Sequence, residues 1–352
     1  VGGPVRDAFL GRTTADLDFT TSALPDEILA VLKGNVDAHW DIGKEFGTIG
    51  ARIGETHVEI TTYRADSYDL DSRKPEVAFG KDLNDDLFRR DFTINAMALR
   101  LPDRVFVDPF NGLQDLLDGI IRTPGKPEDS FSDDPLRIMR AARFASQLGF
   151  HIQEETFSAM KSMAERIEIV SAERIQVELS KLLLGADPAE GIEALVDCGV
   201  ANIIFPEIPK LKLEVDEHHH HKDVYVHTLR VLNQAISYEK QYDLEKDLVL
   251  RLAALMHDIG KPDTRRLESG GAVTFYHHDV VGAKLATKRL RELRYDNDTI
   301  KSVARLIELH LRFFGYSDQA WSDSAIRRYV RDADNLLTRL HVLTRADVTT
   351  RD

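Results

Sequence analysis

The sequence predicts an α+β protein whose strands are concentrated in its first third and whose remainder is helical. Three observations carry that expectation. Short strands are marked by period-two alternation at residues 16–19, 46–53 and 57–63, and a strand followed by a turn is expected at 105–112. From Asp115 onward the pattern becomes largely helical. The length of 352 residues exceeds what one core holds, about 250 to 300 residues, so two or three domains are expected.

Composition narrows the class. Hydrophobic residues at 43% and charged residues at 30% are ordinary for a globular chain. Cys198 is the one cysteine, which excludes an internal disulfide framework and suits a reducing cytoplasm. No run of about 18 apolar residues is present, so no membrane partner is expected. No secretory signal stands at the front; because Val1 falls inside a motif, residues are expected to precede it. The net charge of -13 argues against a surface coated for nucleic acid, but phosphate binding depends on where charge sits. Local basic clusters occur at Arg89 and Arg90, at Arg137, Arg140 and Arg143, and at Lys284, Lys288, Arg289, Arg291 and Arg294. The last group fits a solvated helix face as well as an RNA track.

The first stretch, VGGPVRDAFLGRTTADLDFTT, combines two features. Gly2-Gly3-Pro4 fits a glycine turn entering a helix, where a backbone can approach a ligand and exposed amides attract anions; Arg6 adds a positive charge. Asp16-Leu17-Asp18 places two carboxylates on one face of a strand, where they repel each other unless a divalent cation such as Mg²⁺ lies between them. Either half alone fits a common turn or a solvated strand edge. Next comes a helix over 25–34, with Ile28, Leu29, Val31 and Leu32 at helical spacing. In the strand HVEITTY, Val58 and Ile60 point one way and Glu59 the other, so Glu59 is a candidate third carboxylate. Residues 64–85 are polar with no sustained period and read mostly as a loop. The stretch DLFRRDFTINAMA then gathers Arg89, Arg90, Asp91 and Asn95, a mixture of phosphate donors and groups able to hold sugar hydroxyls, or equally a surface ion-pair cluster.

In DDPLRIMRAARFASQLGF, Asp133 and Asp134 make a helix start with Pro135 in the first turn, and Asp134 neighbours Arg137 on the helix surface. Such a pair can read bases. Cytosine and adenine present an exocyclic NH₂ beside a ring-nitrogen acceptor, so a carboxylate accepts while a guanidinium donates. Uracil and guanine would leave two mismatched groups, each costing roughly 1 to 3 kcal/mol. A plain surface salt bridge is the alternative.

Together these motifs resemble the signatures of the polymerase-β-like nucleotidyltransferases, and more narrowly the bacterial class II tRNA nucleotidyltransferases and poly(A) polymerases. The resemblance implies an N-terminal catalytic domain with a mixed sheet over residues 1–114, a helical neck and RNA-binding region over 115–208, and an all-α domain over 209–352. It implies that Asp16, Asp18 and Glu59 hold Mg²⁺, that Gly2, Gly3, Arg6 and Arg90 position a triphosphate, and that Asp91 and Asn95 lie around the ribose. Asp134 and Arg137 would read the base, with Arg140 and Arg143 adding charge nearby. The family motif has Glu where this chain has Asp133. The 64–85 loop favours full CCA addition over CC addition alone, and AERIQVELSKLLLG, with Arg174, Glu178 and Lys181, resembles the neck. The implied reaction transfers CMP and AMP from CTP and ATP to the tRNA 3′ end, with poly(A) addition as the alternative.

A third unit begins after a break at 206–211. His218 to His221 reads as an ordinary loop. Beyond it, His227, His257-Asp258, His278, His310 and Asp347 recur in an order that resembles the HD phosphohydrolase superfamily. Imidazole and carboxylate suit Mn, Fe, Ni or Zn, so this set is expected to hold a transition metal, and a metal-dependent phosphohydrolase is a further functional alternative.

Overall fold

A computed structural model describes residues 1–13, 16–67, 76–213, 224–269, 273–312 and 322–350. The chain divides into two compact units, Val1–Arg137 with Phe150–Met160, and Ile138–Gly149 with Lys161–Asp352.

The first unit is built on a four-stranded mixed sheet. Its strands are β1 (Asp16–Thr21), β2 (Ala38–Trp40), β3 (Thr48–Ile53) and β4 (Thr56–Thr62), in the order β1-β4-β3-β2. The β3–β4 pair is an antiparallel hairpin, whereas β1 joins β4 in parallel. Between β1 and β2 runs helix α2 (Pro25–Leu32); its Ile28 and Leu32 pack on Ile49 and Ala51 of β3, which gives the sheet one dry face. β3 starts two residues later than the alternation predicted. Lys44–Phe46 coil into a 3₁₀ turn, and Gly47 follows at φ 82° before the strand can begin.

Residues 64–85 are not only loop. Strands β5 (Arg64–Ser67) and β6 (Glu76–Phe79) pair antiparallel, and helix α3 (Leu83–Phe88) starts with the Asp82 carboxylate accepting from the Asn84 amide at 2.8 Å. The strand RADS, with one small apolar residue in four, is too short and too polar to show a period that sequence reading could detect. β7 (Ala98–Arg100) and β8 (Val105–Val107) form another hairpin, followed by helix α4 (Gly112–Asp118).

The predicted helix start at Asp133-Asp134 is divided between two helices. Asp133 ends α5 (Pro127–Asp133), whereas Asp134 is extended, at φ −143° and ψ 101°, and its carboxylate accepts from the Leu136 amide at 3.1 Å as α6 (Leu136–Leu148) begins. Asp134 is the capping group of α6, and Pro135 follows it where a missing N–H costs nothing.

The second unit is helical apart from a short antiparallel pair, Arg266–Leu267 with Val273–Thr274. Glu178 of α7 (Ala172–Leu183) is buried and forms an ion pair with Arg143, whose Nε lies 2.6 Å away, with Arg140 at 3.9 Å. Five further helices carry the histidine and aspartate set: α8 (Val224–Glu239), α9 (Leu248–Met256), α10 (His278–Glu292), α11 (Asn297–Leu309) and α12 (Leu337–Thr349). Arg251 of α9 is buried, forks onto Glu239 at 2.6 and 2.7 Å, and donates to the carbonyls of Leu183 and Gly185 at the end of α7. Every charge in that pair therefore has a partner, the condition for burying it at all. In the basic group after Lys284, Arg289 is committed to Glu207 at 3.0 Å and to Glu292 at 2.8 Å. Among the described residues no helix is long and apolar enough to cross a membrane. The run from His218 to His221 lies outside the described residues.

Candidate active site and candidate metal centre

Strand register assembles the three front carboxylates. The parallel β1–β4 pairing aligns Asp16 with His57 and Asp18 with Glu59, and residues i and i+2 share a face, so Asp16, Asp18 and Glu59 point from the same side of the sheet. Paired strands lie about 4.8 Å apart, which brings Asp18 and Glu59 within reach of one ion. Their carboxylates are not drawn into a tight triad: among the described residues, both groups of three ligand atoms within 4.8 Å of one another lie in the second unit. Burial pushes the Asp18 carboxyl above the ordinary aspartate range. Arg90 pulls it back down, and Asp16 pushes it up further.

The arginine motif folds back onto this strand through a residue the sequence did not single out. Asp86 of α3 is wholly buried, and one carboxylate oxygen accepts from Arg89 at 3.0 and 3.3 Å while the other receives Arg90 at 3.5 Å and the Thr20 hydroxyl of β1 at 3.2 Å. Asp86 therefore fixes both arginines relative to the Asp-x-Asp strand. An acidic residue three and four positions before an arginine pair was the available signal.

Helix α1 (Gly3–Phe9) begins beside Arg90. Gly2 has φ +67°, which favours glycine, and a Cβ on it would lie 2.6 Å from Arg90 Nη1, so a side chain there would displace the tip of that arginine. The close approach that glycine permits is thus to an arginine of the same chain. Gly3 opens the helix. Arg6 donates to Asp7 at 2.8 Å and to Asn95 Oδ1 at 2.8 Å, and Asn95 in turn donates to Asp91 at 3.0 Å. Asp91 also accepts from the Phe92 amide at 2.8 Å. Arg6, Asn95 and Asp91 form one chain of polar groups, so three predicted residues do meet.

Arg137 is held by two groups of its own unit. It donates to Ser130 Oγ at 2.8 Å and to the Arg89 carbonyl at 2.7 Å. Ser130 was not identified from sequence. A guanidinium has five donors, so others remain for a base edge. Arg140 and Arg143 answer Glu178 instead, and Arg143 lies over the Phe144 ring at 4.0 Å.

The second constellation converges completely. His227 of α8, His257 after α9 and Asp347 of α12 form one group of potential ligands, and Asp258, His278 and His310 another, all buried. Asp258 lies 3.2 Å from His257 Nε2, 3.3 Å from His278 Nε2 and 4.0 Å from His310 Nε2, while Asp347 lies 3.0 Å from His227 Nε2. The Nδ1 atoms of His257, His278 and His310 meet the carbonyls three residues earlier at 2.9, 2.8 and 2.6 Å, which assigns the proton to Nδ1 and turns each Nε2 to the centre. Nε2 of His257 and of His310 is buried without an aligned hydrogen-bond partner, an unusual condition that a metal ligand would satisfy. Burial, with the charges of His257 and His278, pushes His310 down to about 3, so it is neutral and able to ligate. Burial opposes charge on His257 too, but Asp258 and Asp347 overcome it and raise its pKa. Lys261 Nζ, 3.0 Å from Asp258, completes the cluster. The donor set of imidazoles and carboxylates fits a divalent transition metal.

A strand carrying Asp-x-Asp in a mixed sheet, with an arginine pair locked against it, defines the nucleotidyltransferase class of head domain. The family comparisons agree: residues 1–122 match the Poly A polymerase head domain, 149–211 the probable RNA and SrmB- binding site of polymerase A, and 224–352 the HD domain. The chain belongs to the CCA-adding enzyme and poly(A) polymerase family whose members carry an HD domain. It is 40% identical over 249 residues to the CCA-adding enzyme of Staphylococcus epidermidis, covering 66% of this chain and 61% of that one. To the CCA-adding enzyme of Levilactobacillus brevis it is 47% identical over 201 residues, covering 57% and 49%. The chain thus spans about half to three-fifths of the length of these curated relatives. The crystal structure of the Bacillus stearothermophilus CCA-adding enzyme in complex with CTP superposes with a TM-score of 0.68 at 26% identity, over 100% of this chain and 76% of that one. A tRNA nucleotidyltransferase complexed with a primer tRNA and an incoming ATP analog shares the fold, with a TM-score of 0.69 at 24% identity. The nucleotidyltransferase and HD families usually use divalent metals.

Proposed function

We propose that this protein adds CCA to tRNA 3′ ends in the cytoplasm, transferring CMP twice and AMP once from CTP and ATP without a template. The observation that carries this reading is the β1–β4 register, which sets Asp16, Asp18 and Glu59 on one face while Asp86 ties Arg90 to the same strand. The names of the relatives support it. Asp16, Asp18 and Glu59 would hold Mg²⁺, which when bound lowers the pKa of the RNA 3′-hydroxyl and neutralises the leaving pyrophosphate. Arg90 and Arg6 supply fixed positive charge for the triphosphate, and the polar chain of Asn95 and Asp91 is available to the ribose hydroxyls. Asp134 accepts from the exocyclic amine of cytosine or adenine and Arg137 donates to the adjacent ring nitrogen, so one pair serves both bases and rejects the other two. Domain boundaries near 114 and 208 follow from the same reading.

The test is extension of a tRNA lacking its terminal CCA at single-nucleotide resolution, with CTP alone, ATP alone and both, in wild type and Asp16→Ala. Two additions with CTP and a third only with ATP, all lost in the variant, are expected. Long tails from ATP alone would make the activity poly(A) addition. A second reading rests on the buried, converging His and Asp cluster: the HD domain is a metal-dependent phosphohydrolase, with Mn, Ni, Fe or Zn held by His227, His257, Asp258, His278, His310 and Asp347. Phosphatase activity that survives Asp16→Ala and disappears in His257→Ala would establish it; activity lost in both variants would refute it.

A further inference from the structure

Phe88, the last residue of α3, is 53% exposed, whereas Leu87 beside it is wholly buried. A lone exposed phenylalanine is ordinary on a protein surface. This one lines a cavity of about 290 Å³ together with Arg64, Arg89, Lys126, Asp133 and Arg137. That volume stands near the lower end of small-molecule sites, about 300 to 1,000 Å³.

The ring is held in place. Phe110 packs against it with centroids 5.7 Å apart and planes tilted by 54°. Its tip occupies the space where a side chain on Gly125 would begin, since a Cβ there would lie 2.6 Å from Phe88 Cζ. Gly125 has no positive φ, so at this position the missing side chain serves the aromatic ring and not the backbone.

A nucleobase offers two recognition surfaces, an edge that hydrogen-bonds and a face that stacks. In the proposed reaction Asp134 and Arg137 take the edge, and no residue has yet been given the face. Arg137 lines the same cavity as Phe88 and is anchored on the carbonyl of Arg89, the residue that follows Phe88. Edge reader and aromatic ring are therefore fastened to the same bend of backbone. Stacking on an aromatic ring tolerates any base, because every base has a π-face. Such a surface suits a site that must accept cytosine and then adenine, with selection left to the edge.

We propose that Phe88 is the stacking platform for the base of the incoming nucleoside triphosphate, adding affinity for CTP and ATP alike without discriminating between them. The inference rests on the nucleotide-addition reading of the same site. The experiment measures kcat and KM for CTP and for ATP, and KM for the tRNA primer, in wild type, Phe88→Leu and Phe88→Trp, with thermal melting of each. Leucine keeps apolar bulk and removes the π-face; tryptophan keeps the π-face. Phe88→Leu is expected to raise KM for both nucleotides by about 5- to 150-fold, the equivalent of about 1 to 3 kcal/mol of stacking, with kcat, primer KM and melting temperature near wild type. Phe88→Trp is expected to stay within about threefold of wild type. An active Phe88→Leu enzyme with unchanged nucleotide KM values overturns the inference and leaves the parent reading standing, as does a rise confined to the primer KM. A wild type that extends no tRNA overturns the parent reading and this inference with it.

Discussion

Replacing Asp86 by asparagine tests the link between the arginine pair and the Asp-x-Asp strand. The substitution keeps volume and removes one negative charge at a site with no exposed surface. Asp86 receives Arg89, Arg90 and Thr20, and the carboxamide can offer only one oxygen to these three donors while its NH₂ faces one of them. Breaking a fully buried ion pair costs about 3 to 5 kcal/mol, but the Arg89 and Arg90 side chains are 21% and 23% exposed and can turn to water. The smaller range for hydrogen bonds to charged groups, about 1.5 to 3 kcal/mol, therefore applies. If half or more of that loss falls on Arg90, whose guanidinium is assigned to the triphosphate, kcat/KM for CTP drops by about 4- to 150-fold, most of it in KM. The assay is steady-state CMP addition to a tRNA lacking CCA, alongside a thermal melt that confirms folding. A folded Asp86→Asn protein with kcat/KM within about threefold of wild type would refute the claim that Asp86 positions Arg90.

Gly2→Ala should lower kcat/KM by at least about tenfold, because its Cβ would meet Arg90 Nη1 at 2.6 Å and its backbone is at φ +67°; displacement of Arg90 predicts the loss in nucleotide KM, and unchanged kinetics would show that the arginine moves freely. Adding a divalent transition metal to chelator-treated protein at about 100 times its Kd should stabilise it by about 2.7 kcal/mol, read as a rise in melting temperature that His257→Ala and Asp258→Ala abolish. In metal-free protein His310 binds a proton only at about pH 3 when folded but near 6.5 when unfolded, so the unfolded state takes up more protons as pH falls through that window and stability drops. His257 acts oppositely: its raised pKa contributes stability below the unfolded value that is lost as pH rises through the folded one. Melting temperature against pH for wild type and His310→Gln with chelator present separates the two, the variant losing the acid-side slope; an identical slope would show that His310 titrates normally.

How much of this was legible in the sequence depended on the distance over which a relation is encoded. Asp16 and Asp18 sit two apart, and period two alone placed them on one face. The order of His227, His257, Asp258, His278, His310 and Asp347 was readable, and all six converge, although His227 and Asp347 lie 120 positions apart. That convergence came from the resemblance; spacing could not have supplied it. What escaped were contacts created by tertiary packing. Nothing local says that Thr20 meets Asp86 or that Ser130 holds Arg137. Arg143, one of three evenly spaced arginines, looked available for phosphate, yet the structure buries it against Glu178 from another helix.

The parallel alignment of β1 with β4 also governs which changes of length the front unit tolerates. Asp18 faces Glu59 because of ladder register, and a residue added or removed inside either strand would turn every following side chain to the opposite face. An insertion between Thr56 and Glu59 would send Glu59 into the layer where Val58 and Ile60 now sit, however well the protein still folded. Insertions among residues 33–37 or 41–43, outside the ladder, would leave the alignment intact at a loop-closure cost that grows only slowly with length. Length variation in this domain should therefore collect in those turns, and the spacing within the two strands should be the more rigid inheritance.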